Sequence, residues 1–287
     1  MTKIKKESQI RRLKKSPFVQ CPTIPSVQEL IKTVEVVNYP RGSGKATKRF
    51  KVLEDMYREY IKPIVDLSEF EYCYFVNGVT DALNHWVATE DRSWQFLEGD
   101  YDYANLISNK GNCVNKINDT DVLYISNPAC STGNFITLPD ISNPIILDCA
   151  YLGSTEIKKM HIPESTEQVF FGFSKGWALV GGRCGLVFTK KPHKSLSLLK
   201  QVEAWNYTTV EVAIMLLYNY TLDQIYNIYR PIQLEICKDY NLIPSDCFFI
   251  ATSTDKEYEV RRRIKDNDVA RLDISYLINT YGENNES

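Results

Sequence analysis

Phe170-Phe171-Gly172-Phe173-Ser174-Lys175-Gly176-Trp177-Ala178-Leu179-Val180-Gly181-Gly182-Arg183-Cys184-Gly185 is the stretch that decides how the chain is read. An apolar run ends in Ser174-Lys175, a turn of small residues follows, and Arg183 stands eight residues past the lysine. A second apolar run, Leu186-Val187-Phe188, then begins. A lysine placed straight after a strand-like run is partly desolvated, which makes its amine a usable nucleophile. An arginine in an open, glycine-rich turn suits an anion, above all a phosphate. The plain alternative is an ordinary strand, turn and strand carrying a surface Lys and Arg. The rest of the chain decides between them.

Composition narrows the field. The chain has 287 residues, room for roughly two domains. Its 44% hydrophobic and 24% charged residues match a soluble globular protein. A net charge of −2 supplies no field for nucleic acid or a membrane, and no apolar run approaches the ~18 residues of a spanning helix. The start, Met1-Thr2-Lys3-Ile4-Lys5-Lys6, is basic with no apolar core after it, unlike a secretory signal. Eight cysteines without a Cys-x-x-Cys pair read as free thiols in a reducing cytosol, hence a cytoplasmic protein. Three separated histidines, His85, His161 and His193, lack metal spacing, so no metal is expected. The Asn-x-Thr sequons at Asn118, Asn206 and Asn219 then count as coincidence.

Residues 1–16 hold seven Lys/Arg and one Glu and read as a solvated arm. A nucleic-acid or partner contact is the sharper alternative, with nothing aromatic to support it. Ser26 is the expected N-cap of a short helix through Lys32. Tyr39-Pro40-Arg41-Gly42-Ser43-Gly44 is a break, and Phe50, Leu53, Met56, Tyr57 and Tyr60 predict a long amphipathic helix from Thr47 to about Ile61. Strands are predicted over residues 71–76, 94–97, 121–126, 144–151, 168–173 and 185–189.

The first of these strands runs into Asn77-Gly78-Val79-Thr80 and a helix from Asp81, a geometry that aims backbone N–H groups at a phosphate. Asp148 closes a strand so apolar that a buried carboxylate there needs a partner. Asn127, Asp148 and Lys175 each end a strand, which is where an open α/β sheet gathers ligand groups. Beyond Lys190 the pattern predicts helix from Ser195 to Tyr229, then strands over 246–251 and 257–264, and a polar tail over 282–287. The alternation around Arg271 in Ala270-Arg271-Leu272-Asp273-Ile274-Ser275 sets its side chain on one face of a strand. Arg261, Arg262 and Arg263 are its rivals.

Ser174-Lys175 with Gly181-Gly182-Arg183-Cys184-Gly185 resembles the cofactor-lysine segment of fold-type I pyridoxal-phosphate (PLP) enzymes, the aspartate aminotransferase superfamily. The wording is nearest its class I/II, histidinol-phosphate aminotransferase-like branch. Asn127-Pro128-Ala129-Cys130-Ser131-Thr132-Gly133 resembles the family's Asn-Pro-(x)n-Thr-Gly loop, and Asp148-Cys149-Ala150-Tyr151 its Asp-x-Ala-Tyr ending. The resemblance spans residues 39–275. It implies an α/β fold with a mostly parallel central sheet flanked by helices and a reduced C-terminal α+β small domain. The boundaries implied are an arm and approach segment over 1–38, a large PLP-binding domain over 39–193, and linking helices with the small domain over 194–287.

Carried over residue by residue, the family pattern makes Lys175 the residue that binds PLP and later moves the α-proton. Asp148 holds the pyridine nitrogen protonated, Asn127 and Tyr151 bond the ring hydroxyl oxygen, and Tyr101 stacks on the ring. Gly78, Val79, Thr80, Ser174 and Arg183 form the phosphate cradle. Arg271 grips an amino acid's α-carboxylate, and Tyr39 reaches the phosphate of a partner subunit in a homodimer. Two departures stand out: Gly172 replaces the Ser or Thr often found three residues before the lysine, and the stretch from Arg183 to Arg271 is short. The small domain must be reduced, so transamination of an α-amino acid through Cα-proton abstraction stands beside two alternatives. These are a PLP-dependent lyase or cyclase, and a non-catalytic PLP-binding protein.

Overall fold

The computed structural model describes residues 8–13, 19–40 and 42–285, the side chains of 283–285 excepted. The basic arm therefore lies outside the described residues except for 8–13, which are helical, as do Arg41 and the last two residues of the tail.

Short apolar runs between turns build the centre. Strands β1 (Tyr72–Val76), β2 (Trp94–Leu97), β3 (Gly111–Val114), β4 (Val122–Ser126), β5 (Ile145–Cys149), β6 (Thr166–Gly172) and β7 (Gly185–Thr189) form one sheet. Their order is β1-β7-β6-β5-β4-β2-β3. Only β7 opposes its neighbours β1 and β6; the other pairings are parallel. Around the sheet lie α1 (Pro25–Lys32), α2 (Lys45–Ile61), α3 (Val79–Thr89), α4 (Tyr103–Ile107), α5 (Phe173–Gly176), α6 (Lys194–Gln201), α7 (Tyr207–Asn219), α8 (Gln224–Tyr240) and α9 (Ser275–Asn285). A small antiparallel sheet, ordered β10-β9-β8, joins β8 (Ile243–Pro244), β9 (Ile250–Ser253) and β10 (Ala270–Asp273).

A sheet covered on both faces buries every residue of its inner strands. Cys73, Phe75, Leu123, Ile125, Leu147, Phe171 and Phe188 pack on one side with Leu53 and Tyr57 of α2 and Leu216 of α7. Tyr74, Val76, Tyr124, Ile146, Phe170 and Val187 pack on the other with Leu83 and Trp86 of α3 and Leu196 of α6. Each such fully buried side chain contributes about 1.5–3 kcal/mol, which fixes the register and hence where each strand ends.

Several element predictions need correction. The N-cap of α1 is Ile24, with Pro25 opening the helix, because proline's fixed φ suits the first turn. The long helix predicted over 195–229 is three helices. It breaks at Glu203, which has φ 52°, and restarts at Asn206, whose side chain accepts from Thr209 N; a second break separates α7 from α8. The strand predicted over 257–264 is a 3-10 helix, Lys256–Arg261, capped by Asp255; it buries only Tyr258, too little to hold a strand against a sheet. The strand predicted over 246–251 sits later, at β9, and residues 282–285 continue α9 rather than forming a tail.

Candidate active site

The carboxyl ends of β4, β5 and β6 and the start of α3 border one cavity of about 490 Å³. The turn into α3 is shaped by Gly78, at φ 84°, where a Cβ would stand 3.2 Å from Arg183 Nη2. A Cβ on Gly185 would meet Phe171 O at 2.7 Å and Gly78 Cα at 2.9 Å, so two glycines let the Arg183 turn close onto the helix start. The opening amides of a helix have no partner inside it. Among the described residues, those of Val79 and Thr80 have no acceptor, and no carboxylate is within ion-pair distance of Arg183. Unused N–H donors beside an unpaired guanidinium make an anion site. Thr80 and Ser174 also line the cavity, and Thr80 Oγ1 lies 3.4 Å from Tyr101 OH. The Tyr101 ring stacks on Tyr103 at 6.0 Å.

Asp148 ends β5 and lines the same cavity, only 3% exposed. Its Oδ2 accepts from Tyr124 OH at 2.5 Å and its Oδ1 from Ala150 N at 2.8 Å. Among the described residues no cation pairs with it, and burial pushes its carboxyl up to about 7, against the pull of those two donors. Asp100, also buried, adds to the rise; it accepts from Ser126 N at 2.9 Å and Tyr101 N at 2.7 Å.

Lys175 sits in the single turn of α5 directly after β6. Its Nζ donates to Val19 O at 2.5 Å, and Cys21 Sγ donates to Lys175 O at 2.5 Å. Gln20 N donates to Asp273 Oδ2 at 2.8 Å, and Ser275 Oγ donates to Gln20 O. Residues 19–21 thus strap the lysine side of the cavity to the small sheet.

Arg271 lies in β10, where Ala270 and Leu272 are buried and Arg271 and Asp273 take the opposite face. The arginine lines the cavity; its Nη1 donates to Cys130 O at 2.5 Å and lies 3.4 Å from Tyr151 OH. Burial raises the Tyr151 phenol well above its ordinary range. Of the rival arginines, Arg263 reaches this cavity while donating to Gly99 O at 2.7 Å and to Asp100 O. Arg261 and Arg262 border an adjoining one of about 420 Å³.

Lys175, Asp148, Tyr151, Val79, Thr80, Tyr101, Ser174, Arg183 and Arg271 therefore come together. Gly78 packs against Arg183 without lining the cavity, and two other expected residues lie apart from it. Asn127 is fully buried, and its side chain clamps the loop instead: Nδ2 donates to Ile136 O at 3.0 Å and Oδ1 accepts from Ile136 N at 3.1 Å. An amide closing an irregular loop satisfies backbone groups no strand would pair, and this one does not border the cavity. Tyr39 lies away from the cavity of its own chain, donating to Glu211 Oε1 at 3.0 Å beside Arg49, which holds both oxygens of Glu211. Sequence reasoning missed Val19, whose contact spans 156 positions, and Tyr124, which strand alternation places on the face of Asp148.

Among the described residues, no cluster of three His, Cys, Asp or Glu side chains could hold a metal ion, and no helix is long and apolar enough to cross a membrane.

No protein-family model and no curated protein matches the sequence. Solved structures do match the fold, that of fold-type I aminotransferases. An aminotransferase from Staphylococcus aureus superimposes with TM-score 0.64 at 15% identity, over 92% of this chain and 91% of that one. A histidinol-phosphate aminotransferase from Sinorhizobium meliloti, in complex with pyridoxal-5'-phosphate, gives 0.59 at 15% identity, over 95% and 92%. An L-threonine-O-3-phosphate decarboxylase from Porphyromonas gingivalis gives 0.60 at 13% identity, over 95% and 98%.

Proposed function

We propose that the chain is a PLP-dependent enzyme of the aminotransferase type that acts on an α-amino acid by removing its Cα proton. The observation that carries this is Asp148: a buried carboxyl with no cationic partner among the described residues, lining the cavity that also holds the Lys175 amine, Arg183 and Arg271. Burying a carboxylate without a counter-charge is costly, and a protonated pyridine nitrogen is the partner this site lacks. The residues present fit PLP. The Val79 and Thr80 amides, the Thr80 and Ser174 hydroxyls and the Arg183 guanidinium would hold its phosphate, Asp148 its ring nitrogen, and Tyr101 and Tyr151 its ring.

Bound there, PLP supplies the electron sink for the pair released at Cα. The rest is done by this chain. Asp148, in its ionised form, would hold a proton on the ring nitrogen. Arg271, with one nitrogen anchored on Cys130 O, offers the remaining edge of its fork to an α-carboxylate, which orients Cα toward Lys175. Lys175 Nζ then takes the Cα proton and returns it, a transfer whose efficiency depends on reach first and on basicity second. Val19 O holds that amine inside the cavity.

Transamination is the leading outcome because the cavity holds a carboxylate grip, a proton carrier and a ring-nitrogen acid together. The lyase reading keeps one supporting fact: the same fold carries a decarboxylase, so the fold does not choose which Cα bond breaks. The experiment is deuterium exchange at Cα across a panel of amino acids, run beside assays for keto acid, ammonia and carbon dioxide. Exchange with keto acid supports transamination. Exchange with ammonia or a cyclised product moves the assignment to a lyase or cyclase. Carbon dioxide without exchange moves the assignment to a decarboxylase, and neither exchange nor carbon dioxide, in protein shown to hold PLP, leaves the non-catalytic reading.

A homodimer, with Tyr39 turned from Glu211 toward a partner's phosphate site, and a cytoplasmic location belong to the same proposal. So does the division into an approach segment over 1–38, a large domain over 39–193 and a small one over 194–287.

A further inference from the structure

Asp148 is held by a residue that none of the expected roles includes. In the parallel register of β4 and β5, Tyr124 pairs with Ile146 and Ser126 with Asp148. Residues two apart on a strand share a face, so Tyr124 and Asp148 are diagonal neighbours on one side of the sheet, within reach of a long side chain. Tyr124 spans that diagonal and donates its hydroxyl proton to Oδ2 at 2.5 Å. Its exposure is 0%. Trp86 of α3 stacks on its ring at 6.0 Å and 19°, which stops the ring from swinging away. Ala150 N takes the other oxygen, so the carboxyl has a donor on each side and its rotation is set.

We propose that Tyr124 is a positioning residue for the proposed reaction, fixing the Asp148 carboxyl against the cavity through its hydroxyl. The role rests on the reading of Asp148 as the partner of the cofactor's ring nitrogen. Its physical basis is a competition. Burial and the Asp100 carboxylate favour the neutral carboxyl, while the Tyr124 hydroxyl and the Ala150 amide favour the ion. Among the described residues, Tyr101 after β2 and Cys130 after β4 interact with Asp148 from its own side of the sheet, and Cys149 does so from the next position of the strand; all three are pushed up by burial and so neutral near pH 7. Lys175, Arg183, Arg263, Arg271, Tyr151 and Asp102 line the same cavity, and none of them is hydrogen-bonded to Asp148. Asp100 has its own donors in Ser126 and Tyr101. Removing the Tyr124 hydroxyl therefore acts on Asp148 alone.

The test is Tyr124→Phe, read in two ways. In cofactor-free protein, stability falls as pH rises above the ordinary carboxyl value of 3.8 and levels off past the Asp148 transition, near 7. The variant is expected to move that transition upward by roughly one pH unit, the worth of one hydrogen bond to a charged group. In an Asp148→Asn background, which buries no charge at that position and supplies a folded reference, the shift is expected to vanish. In the second reading, PLP affinity measured by fluorescence is expected to fall about fivefold at pH 7, as the ionised fraction of Asp148 drops from about one half to about one tenth, and to recover as pH rises; a merely structural tyrosine costs the same at every pH. A transition that stays put, or that moves equally without Asp148, overturns the proposal. A transition that moves while PLP affinity stays constant keeps the Tyr124–Asp148 pair but refutes the role of Asp148, and with it the positioning role.

Discussion

Replacing Asp148 with asparagine is expected to stabilise the cofactor-free protein above neutral pH while removing most of its turnover. The folded carboxyl titrates at about 7 against an ordinary 3.8, so between those values the folded state holds a proton that the unfolded chain has released. Stability must then fall as pH rises across that window. About 3 units at 1.36 kcal/mol each amount to about 4 kcal/mol by pH 8. The amide escapes that loss but disturbs one contact. Its Oδ1 keeps Ala150 N, while its Nδ2 turns the Tyr124 hydroxyl into an acceptor and leaves the phenol proton unused, at about 1–3 kcal/mol. The net gain at pH 8 is about 1–3 kcal/mol, a rise of several degrees in Tm for a chain of this size. At pH 4, where the wild-type carboxyl is neutral in the fold and the proton difference is small, the gain is expected to disappear. Thermal unfolding of both proteins without PLP, from pH 4 to 8.5, is the assay. A variant equally destabilised at every pH would refute the claim that Asp148 is a carboxyl raised by burial and left without a partner.

Other substitutions test the remaining parts of the site. Arg271→Leu keeps much of the side-chain volume but loses the free edge of the guanidinium; KM for the amino acid is expected to rise about 10–100-fold with PLP affinity unchanged, and a normal KM would move the carboxylate to Arg263. Gly172→Ser should be tolerated, since φ is −131° and the only neighbour within 4 Å of a Cβ is Val79 Cγ2 at 3.4 Å. Its hydroxyl is expected to tighten PLP binding about tenfold, and unchanged affinity would place the phosphate elsewhere. Tyr39→Phe is expected to weaken PLP binding in a dimer and to leave the fold intact, because Arg49 still holds Glu211. An active wild-type monomer by light scattering would contradict the composite site.

The legible parts of this molecule were those set by local pattern. Apolar runs between turns located the strands of the large sheet except edge strand β3, whose two middle residues are exposed and carry no apolar signal. Polar residues at strand ends located Asp148 and Lys175, and alternation set Arg271 on the face opposite Ala270 and Leu272. What could not be read depended on contacts that residue type and periodicity do not encode. Asn127 has the residue type of a ligand, yet its amide is taken by Ile136 across an irregular loop. Val19 meets Lys175 only because the chain folds back over the sheet. Glu257 to Ile264 alternates enough to suggest a strand, but Asp255 caps a 3-10 turn and only Tyr258 finds a core.

The central claim is that this cavity holds PLP through the amine of Lys175. The direct measurement is to incubate the purified protein with PLP, reduce with borohydride and map the labelled lysine by mass spectrometry of peptides. A phosphopyridoxyl group is expected on Lys175 and is expected to be lost in Lys175→Ala. Labelling spread over surface lysines, or the same labelling in Lys175→Ala, would contradict it.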